Sequence, residues 1–263
     1  MNRKEKSTTI NNPKLHNPHL DGDAFFLEGG KTGIFISHGY TATAAEVRPI
    51  AEKLHAAGYT VAGPLLAGHG TQVEDLNNAT WQDWVESGKT TLESLFKVCD
   101  QVWVAGESMG GVVALYLAAQ NPKIKGVVLY APAIRLVMSF VDQLKLYLGS
   151  PFLAEVPRDS LDCSSNWQGY PGLPLKGAIQ LLRFQKATLP LLPKVTQPVL
   201  IFQGRKDMTV APEAGEMILS GVSSAVKEHH WMENSSHAIV LDVEVDDVAQ
   251  ISLEFIQKNQ DKE

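Results

Sequence analysis

The sequence predicts an α/β protein: an open, mostly parallel sheet with helices on both faces. Three observations carry this. Short β-rich runs alternate with amphipathic helical stretches along most of the chain. Several runs are apolar at consecutive positions, the pattern of strands covered on both faces. The segments between them are long enough for helical crossovers, which parallel strands require.

The elements follow in order. Ile34–Ser37 reads as the first strand. Val47, Ile50, Ala51, Leu54 and Ala57 keep helical spacing, and Gly58 stops that helix. Tyr59–Ala62 is the next strand; Trp81, Trp84, Val85, Leu92, Leu95 and Phe96 mark the second helix. Gln101–Ala105 is a strand, and Ser108–Gln120 a helix ended by Asn121-Pro122. Gly126–Tyr130 and Pro198–Phe202 are strands, Pro212–Leu219 a helix, and Val226–Met232 β-like. Val245, Val248, Ile251, Phe255 and Ile256 place a terminal helix.

Three regions depart from the alternation. Residues 1–20 are polar and read as a flexible or loosely docked tail. Residues 134–187 interrupt the interval between two strands; they are rich in Leu and aromatics, and Pro and Gly punctuate their middle. A connection of that length is usually functional, and it reads as a small helical cap. The core is then 21–133 with 188–263. At 263 residues the chain buries a large core unaided.

Composition removes other classes. With 44% hydrophobic, 20% charged and a net charge of −6, the chain is neither disordered nor built for nucleic acid. No apolar run is long enough for an integral membrane span or, within the first 22 residues, for a signal peptide. Two cysteines, Cys99 and Cys163, do not make a disulfide framework and read as free thiols. A cytoplasmic location is the resulting expectation. No HExxH, CxxC or EF-hand loop occurs, and no G-x-G-x-x-G follows a strand, so neither a metal nor a cofactor is expected. Nothing in the sequence speaks to oligomeric state.

The chemistry concentrates at Gly106-Glu107-Ser108-Met109-Gly110, a G-x-S-x-G motif between a strand and a helix. That context forms a sharp turn that lifts a serine hydroxyl clear of the sheet, beside a helix N-terminus. A serine needs a base, and here the acid and histidine are expected after it in the chain. Asp207 lies in the loop beyond the strand Pro198–Phe202, and His237 beyond Val226–Met232, both at strand ends where ligand sites of such sheets form. The other histidines fit less well: His229 and His230 fall inside a strand-like run, and His38 reads as structural, its ring bonding loop backbone. The expected oxyanion donors are backbone N–H groups, one from Met109 and one from Tyr40 in His38-Gly39-Tyr40-Thr41.

With those residues in hand the chain resembles the α/β hydrolases, and within them the bacterial carboxylesterases and monoacylglycerol lipases. The likeness runs from Ile34 to Phe255. It rests on Ser37–Thr41, Gly58–Val61 with Pro64, Gly68–Thr71, Asp83-Trp84, Gly106–Gly111, Asp207 and His237. The resemblance implies a catalytic triad of Ser108, Asp207 and His237. The chain departs from it at Tyr40, where relatives carry Phe, and at Glu107, often Leu. In Trp167-Gln168-Gly169-Tyr170-Pro171 it lacks the carboxylate that meets the glycerol end in the related lipases.

The function expected is a serine hydrolase cleaving carboxylic esters of short to medium acyl chains, with a small-molecule ester as its partner. A monoacylglycerol lipase, thioesterase or acyltransferase would share the chemistry. A peptidase would need a carboxylate for the substrate amine, for which Glu155, Asp159 and Asp162 are candidates. A non-catalytic binding protein on this fold is the remaining class. Met138, Phe140 and Trp167 are the expected acyl-pocket residues.

Overall fold

The structure is a computed structural model that describes residues 8–157 and 165–260. Its elements are β1 (Phe25–Leu27), β2 (Thr32–Ser37), α1 (Arg48–Ala56), β3 (Thr60–Gly63), α2 (Val73–Asn78), α3 (Trp81–Phe96), β4 (Gln101–Glu107) and α4 (Met109–Gln120). Then come β5 (Ile124–Tyr130), α5 (Phe140–Gly149), β6 (Glu155–Pro157), β7 (Gly172–Pro174) and α6 (Leu175–Thr188). The chain ends with β8 (Val199–Gly204), α7 (Ala214–Gly221), β9 (Lys227–Met232) and α8 (Val245–Gln260).

The main sheet runs β1-β3-β2-β4-β5-β8-β9. Every pairing in it is parallel except β1 with β3. This is the mostly parallel α/β architecture expected from the consecutive apolar runs. β4 shows why such runs arise. Val102 and Val104 enter one core, while Trp103 and Ala105 enter the core on the opposite face. A strand with helices on both sides cannot alternate apolar with polar residues.

One core layer is built on α3, α4 and α6, the other on α1 and α8. α4 directly follows the central strand and is buried nearly all round, so it is apolar on every face. α3 begins with a reciprocal cap in which the Thr80 and Asp83 side chains each accept the other's backbone N–H.

Two expectations change. The N-terminal tail is not loose over the residues described. Leu15 is buried, the Asn12 amide donates to the Gly70 and Thr71 carbonyls at 3.0 and 2.9 Å, and the His16 N–H reaches the Gly169 carbonyl at 2.8 Å. Polar composition concealed this, because the segment docks mainly through hydrogen bonds. The second half of the insertion is also not a separate cap. α6 packs on α2 and α4, and the Phe184 ring stacks on Trp81 with centroids 5.2 Å apart. α5, resting on α6, stands away from the core, with Leu146 as its buried residue.

Cys99 is free and buried. Cys163, Asp159 and Asp162 lie outside the described residues. Among the described residues no helix is long and apolar enough to cross a membrane.

Candidate active site

The site is assembled at the C-terminal ends of β4, β8 and β9. Ser108 sits between β4 and α4 with φ 54° and ψ −114°, a conformation seldom taken by a residue with a side chain. Such backbone costs about 1–3 kcal/mol and persists only where its surroundings impose it. Here they do. The Ser108 N–H donates to the Tyr130 carbonyl at 2.8 Å, and the Ser108 carbonyl accepts from Gly111 and Ala133 at 3.0 Å each. Gly106 and Gly110 make the turn possible: a Cβ on Gly106 would strike the Gly110 backbone, and one on Gly110 the Ser37 carbonyl.

The β8 and β9 loops are joined to each other. Arg205 N–H donates to the Met232 carbonyl at 2.9 Å and Lys206 N–H to the Ser235 carbonyl at 3.0 Å. The His237 turn is braced from behind. Asp242 accepts from the Ser236 N–H and hydroxyl at 2.7 Å each, and Glu244 from the Asn234 N–H and Ser235 hydroxyl at 2.9 and 2.6 Å. These two carboxylates escaped the sequence reading, because acidic residues before a helix read as ordinary N-terminal charge complements.

The structure brings Ser108, His237 and Asp207 together. His237 Nε2 is 2.9 Å from Ser108 Oγ, and His237 Nδ1 is 2.9 Å from Asp207 Oδ2. The other Asp207 oxygen accepts the Thr209 and Val210 N–H groups at 2.7 and 2.9 Å. Burial pushes the Asp207 carboxyl up. The hydrogen bond and charge of His237, with those two amides, outweigh it and hold the group below its usual range. An anionic Asp207 therefore fixes His237 with Nδ1 as donor, leaving Nε2 to accept the serine proton.

Beside Ser108 lies the loop after β2. Gly39 is so close that a Cβ on it would lie 3.2 Å from Ser108 Cβ. The loop is clamped by His38, whose Nδ1 lies 2.9 Å from the Gly39 carbonyl while Nε2 accepts the Leu66 N–H at 3.1 Å. Burial lowers the His38 imidazole to about 4, against the opposing Gly39 bond, so the ring is neutral with Nδ1 as donor. The structural reading of His38 describes this contact. The Tyr40 hydroxyl donates to the Pro174 carbonyl at 2.5 Å. Met109, at the start of α4, is fully buried.

The three expected acyl-pocket residues do not meet. Met138 lines a cavity of about 300 Å³ with Leu136, Leu182 and Met217, and no triad residue lines it. Phe140 is 78% exposed, because α5 packs mainly on α6 and turns Phe140 outward. Trp167 is buried, and its Nε1–H donates to Glu46 Oε1 at 3.1 Å. Its neighbour Gln168 bonds Thr43 and the Asn17 and Leu20 carbonyls. This stretch is a structural anchor.

Glu107 is wholly buried beneath the nucleophile. Burial, then the charges of Glu46 and Asp207, push its carboxyl well above the usual range, while the Ile239 and Val240 amides draw it the other way. Neither carboxyl oxygen closes a hydrogen bond among the described residues. Burial therefore favours the neutral form of the Glu107 carboxyl.

A parallel sheet with a strained serine elbow and a serine–histidine–aspartate relay at its strand ends defines an α/β hydrolase. Over residues 30–161 and 170–244 the chain matches the family described as serine aminopeptidase, S33. It is 36% identical over 248 residues to the thermostable monoacylglycerol lipase of Bacillus sp. (strain H-257), covering 92% of this chain and 97% of that one. It is 28% identical to the carboxylesterase of Bacillus subtilis (strain 168), across 89% and 96% of the two. A solved structure from work on two metagenome-derived lipolytic enzymes aligns with a TM-score of 0.85 at 33% identity, over 90% of this chain and 98% of that one. The chain belongs to the serine aminopeptidase S33 family, and it is an α/β hydrolase of the lipase and esterase type.

Proposed function

We propose that the protein is a carboxylesterase that cleaves esters of short to medium acyl chains through an acyl-enzyme. The observation that carries this is the continuous relay from Asp207 through His237 to Ser108. Ser108 Oγ attacks the ester carbonyl as His237 Nε2 takes its proton. The tetrahedral oxyanion is met by the backbone N–H groups of Tyr40 and Met109. His237 returns the proton to the departing alcohol, leaving the acyl group on Ser108. Water, deprotonated by the same imidazole, attacks the acyl-enzyme and releases the acid. Asp207 orients the ring and stabilises its cation throughout.

A monoacylglycerol lipase is the second reading. It is favoured by the 36% identity to a protein of that name. Against it stands the Trp167–Pro171 stretch, which has no carboxylate and whose Trp167 and Gln168 side chains are engaged in structural bonds. A panel of p-nitrophenyl esters and monoacylglycerols of graded chain length decides between them. We expect kcat/KM to rise about fourfold per added methylene, at ~0.8 kcal/mol each, and then fall within the medium range. Monoacylglycerols outpacing every simple ester of equal chain length would overturn the carboxylesterase reading. An activated phosphonate should label Ser108. Ser108→Ala should lose that label and lower kcat roughly a thousandfold or more.

A further inference from the structure

Glu46 is a buried carboxylate with no assigned role in the chemistry. It is 5% exposed, in the short turn before α1. Its Oε2 accepts the Gly39 N–H at 2.6 Å, and its Oε1 accepts the Trp167 Nε1–H at 3.1 Å. Gly39 lies between this carboxylate and the nucleophile: a Cβ on it would stand 3.2 Å from both Glu46 Oε2 and Ser108 Cβ. The next peptide plane carries the Gly39 carbonyl at one end and the Tyr40 N–H at the other. A trans peptide directs these two groups oppositely.

We propose that Glu46 is a positioning residue for the oxyanion donor. It fixes the Gly39 N–H, His38 fixes the Gly39 carbonyl, and the Tyr40 N–H is thereby held toward Ser108. The Trp167 indole is the second tether, joining this loop to the stretch that anchors the insertion. A short bond from an amide to a carboxylate is among the stronger hydrogen bonds available to a loop. A donor already in place needs no reorganisation when charge appears on the carbonyl oxygen, and a misplacement of about 1 Å can cost on the order of a hundredfold.

This inference rests on the acyl-transfer reading, and the test separates the two. Glu46→Gln keeps the shape but leaves one oxygen for two donors and turns an NH₂ toward one of them. With a p-nitrophenyl ester we expect kcat to fall roughly tenfold to a hundredfold with KM within about twofold, because an oxyanion donor acts mainly in the transition state. The rate constant for covalent inactivation by a fluorophosphonate should fall in parallel, since its phosphoryl oxygen occupies the same hole. A merely structural Glu46 would lower Tm and leave both constants unchanged below the melting range; that result overturns the proposal. If Glu46→Gln does not fold, Glu46→Asp keeps the charge and withdraws the acceptor from Gly39. It should lose about three- to tenfold in both constants, and wild-type values would overturn the proposal equally. If wild-type enzyme hydrolyses no ester yet reacts with the fluorophosphonate, the substrate reading fails while the inactivation rates still decide the role of Glu46.

Discussion

At the scale of single residues, the site combines two opposite treatments of a carboxyl group. Asp207 lies in a nest of donors and stays charged. Glu107 is adjacent to the nucleophile in sequence but lies in the core beneath it, where burial and two neighbouring carboxylates push its carboxyl well above the usual range. A group whose pKa is raised by folding stabilises the fold fully below its ordinary value of 4.5 and loses that contribution as the pH rises toward the folded value. Glu107→Gln removes the titration and keeps the shape. Its Tm should therefore exceed that of the wild type, by a margin that grows as the pH rises above 4.5. A margin that does not change with pH would contradict the raised pKa of Glu107. Asp207→Asn should act on catalysis: by analogy with other triads, kcat should drop about a thousandfold or more, because the imidazole loses its imposed tautomer. Steady-state kinetics on the folded variant check this.

At the scale of elements, the elbow was legible because its causes are local. Gly106, Gly110 and Ser108 make a turn that only small flanking residues permit, and an apolar strand and helix adjoin it. The N-terminal segment was not legible, because its partners are distant in the chain. Asn12 bonds a loop near residue 70, and the Asn17 amide bonds the Trp167 carbonyl at 2.8 Å. The segment straps the anchor of the insertion to the core. Leu15→Ala should cost about 2–3 kcal/mol, as buried leucines do. Removing residues 1–20 should lower Tm further. Thermal melts of the two variants test this; a truncated protein as stable as the full chain would refute the strap.

At the scale of the whole molecule, the parallel sheet sets three loops beside one another at a single edge, and the insertion after β5 divides between two tasks. α6 and the Trp167–Tyr170 stretch belong to the core layer, and among the described residues α5 and the Phe152–Leu153 turn after it are displaced outward. Selectivity for acyl length is the role we propose for the outer part. Replacing residues 139–164 with a Gly/Ser linker spares α6 and the anchor. The variant should fold, still label at Ser108, and show a flattened chain-length profile; an unchanged profile would place selectivity elsewhere.

The sequence by itself determined the strand and helix alternation and the elbow at Ser108, and it pointed to Asp207 and His237 as the side chains that the structure brings to Ser108. Each rests on short-range pattern: apolar period, turn chemistry, and position after a strand. Only the tertiary structure decided that Trp167 is buried and bonds Glu46, that Phe140 faces outward, that the buried Glu107 carboxyl has a raised pKa, and that β1 adds an antiparallel edge. Those outcomes depend on which distant surfaces meet. A side chain's burial and charge state follow from the neighbours that folding brings to it, and Glu46 lies far along the chain from Trp167 and from Glu107.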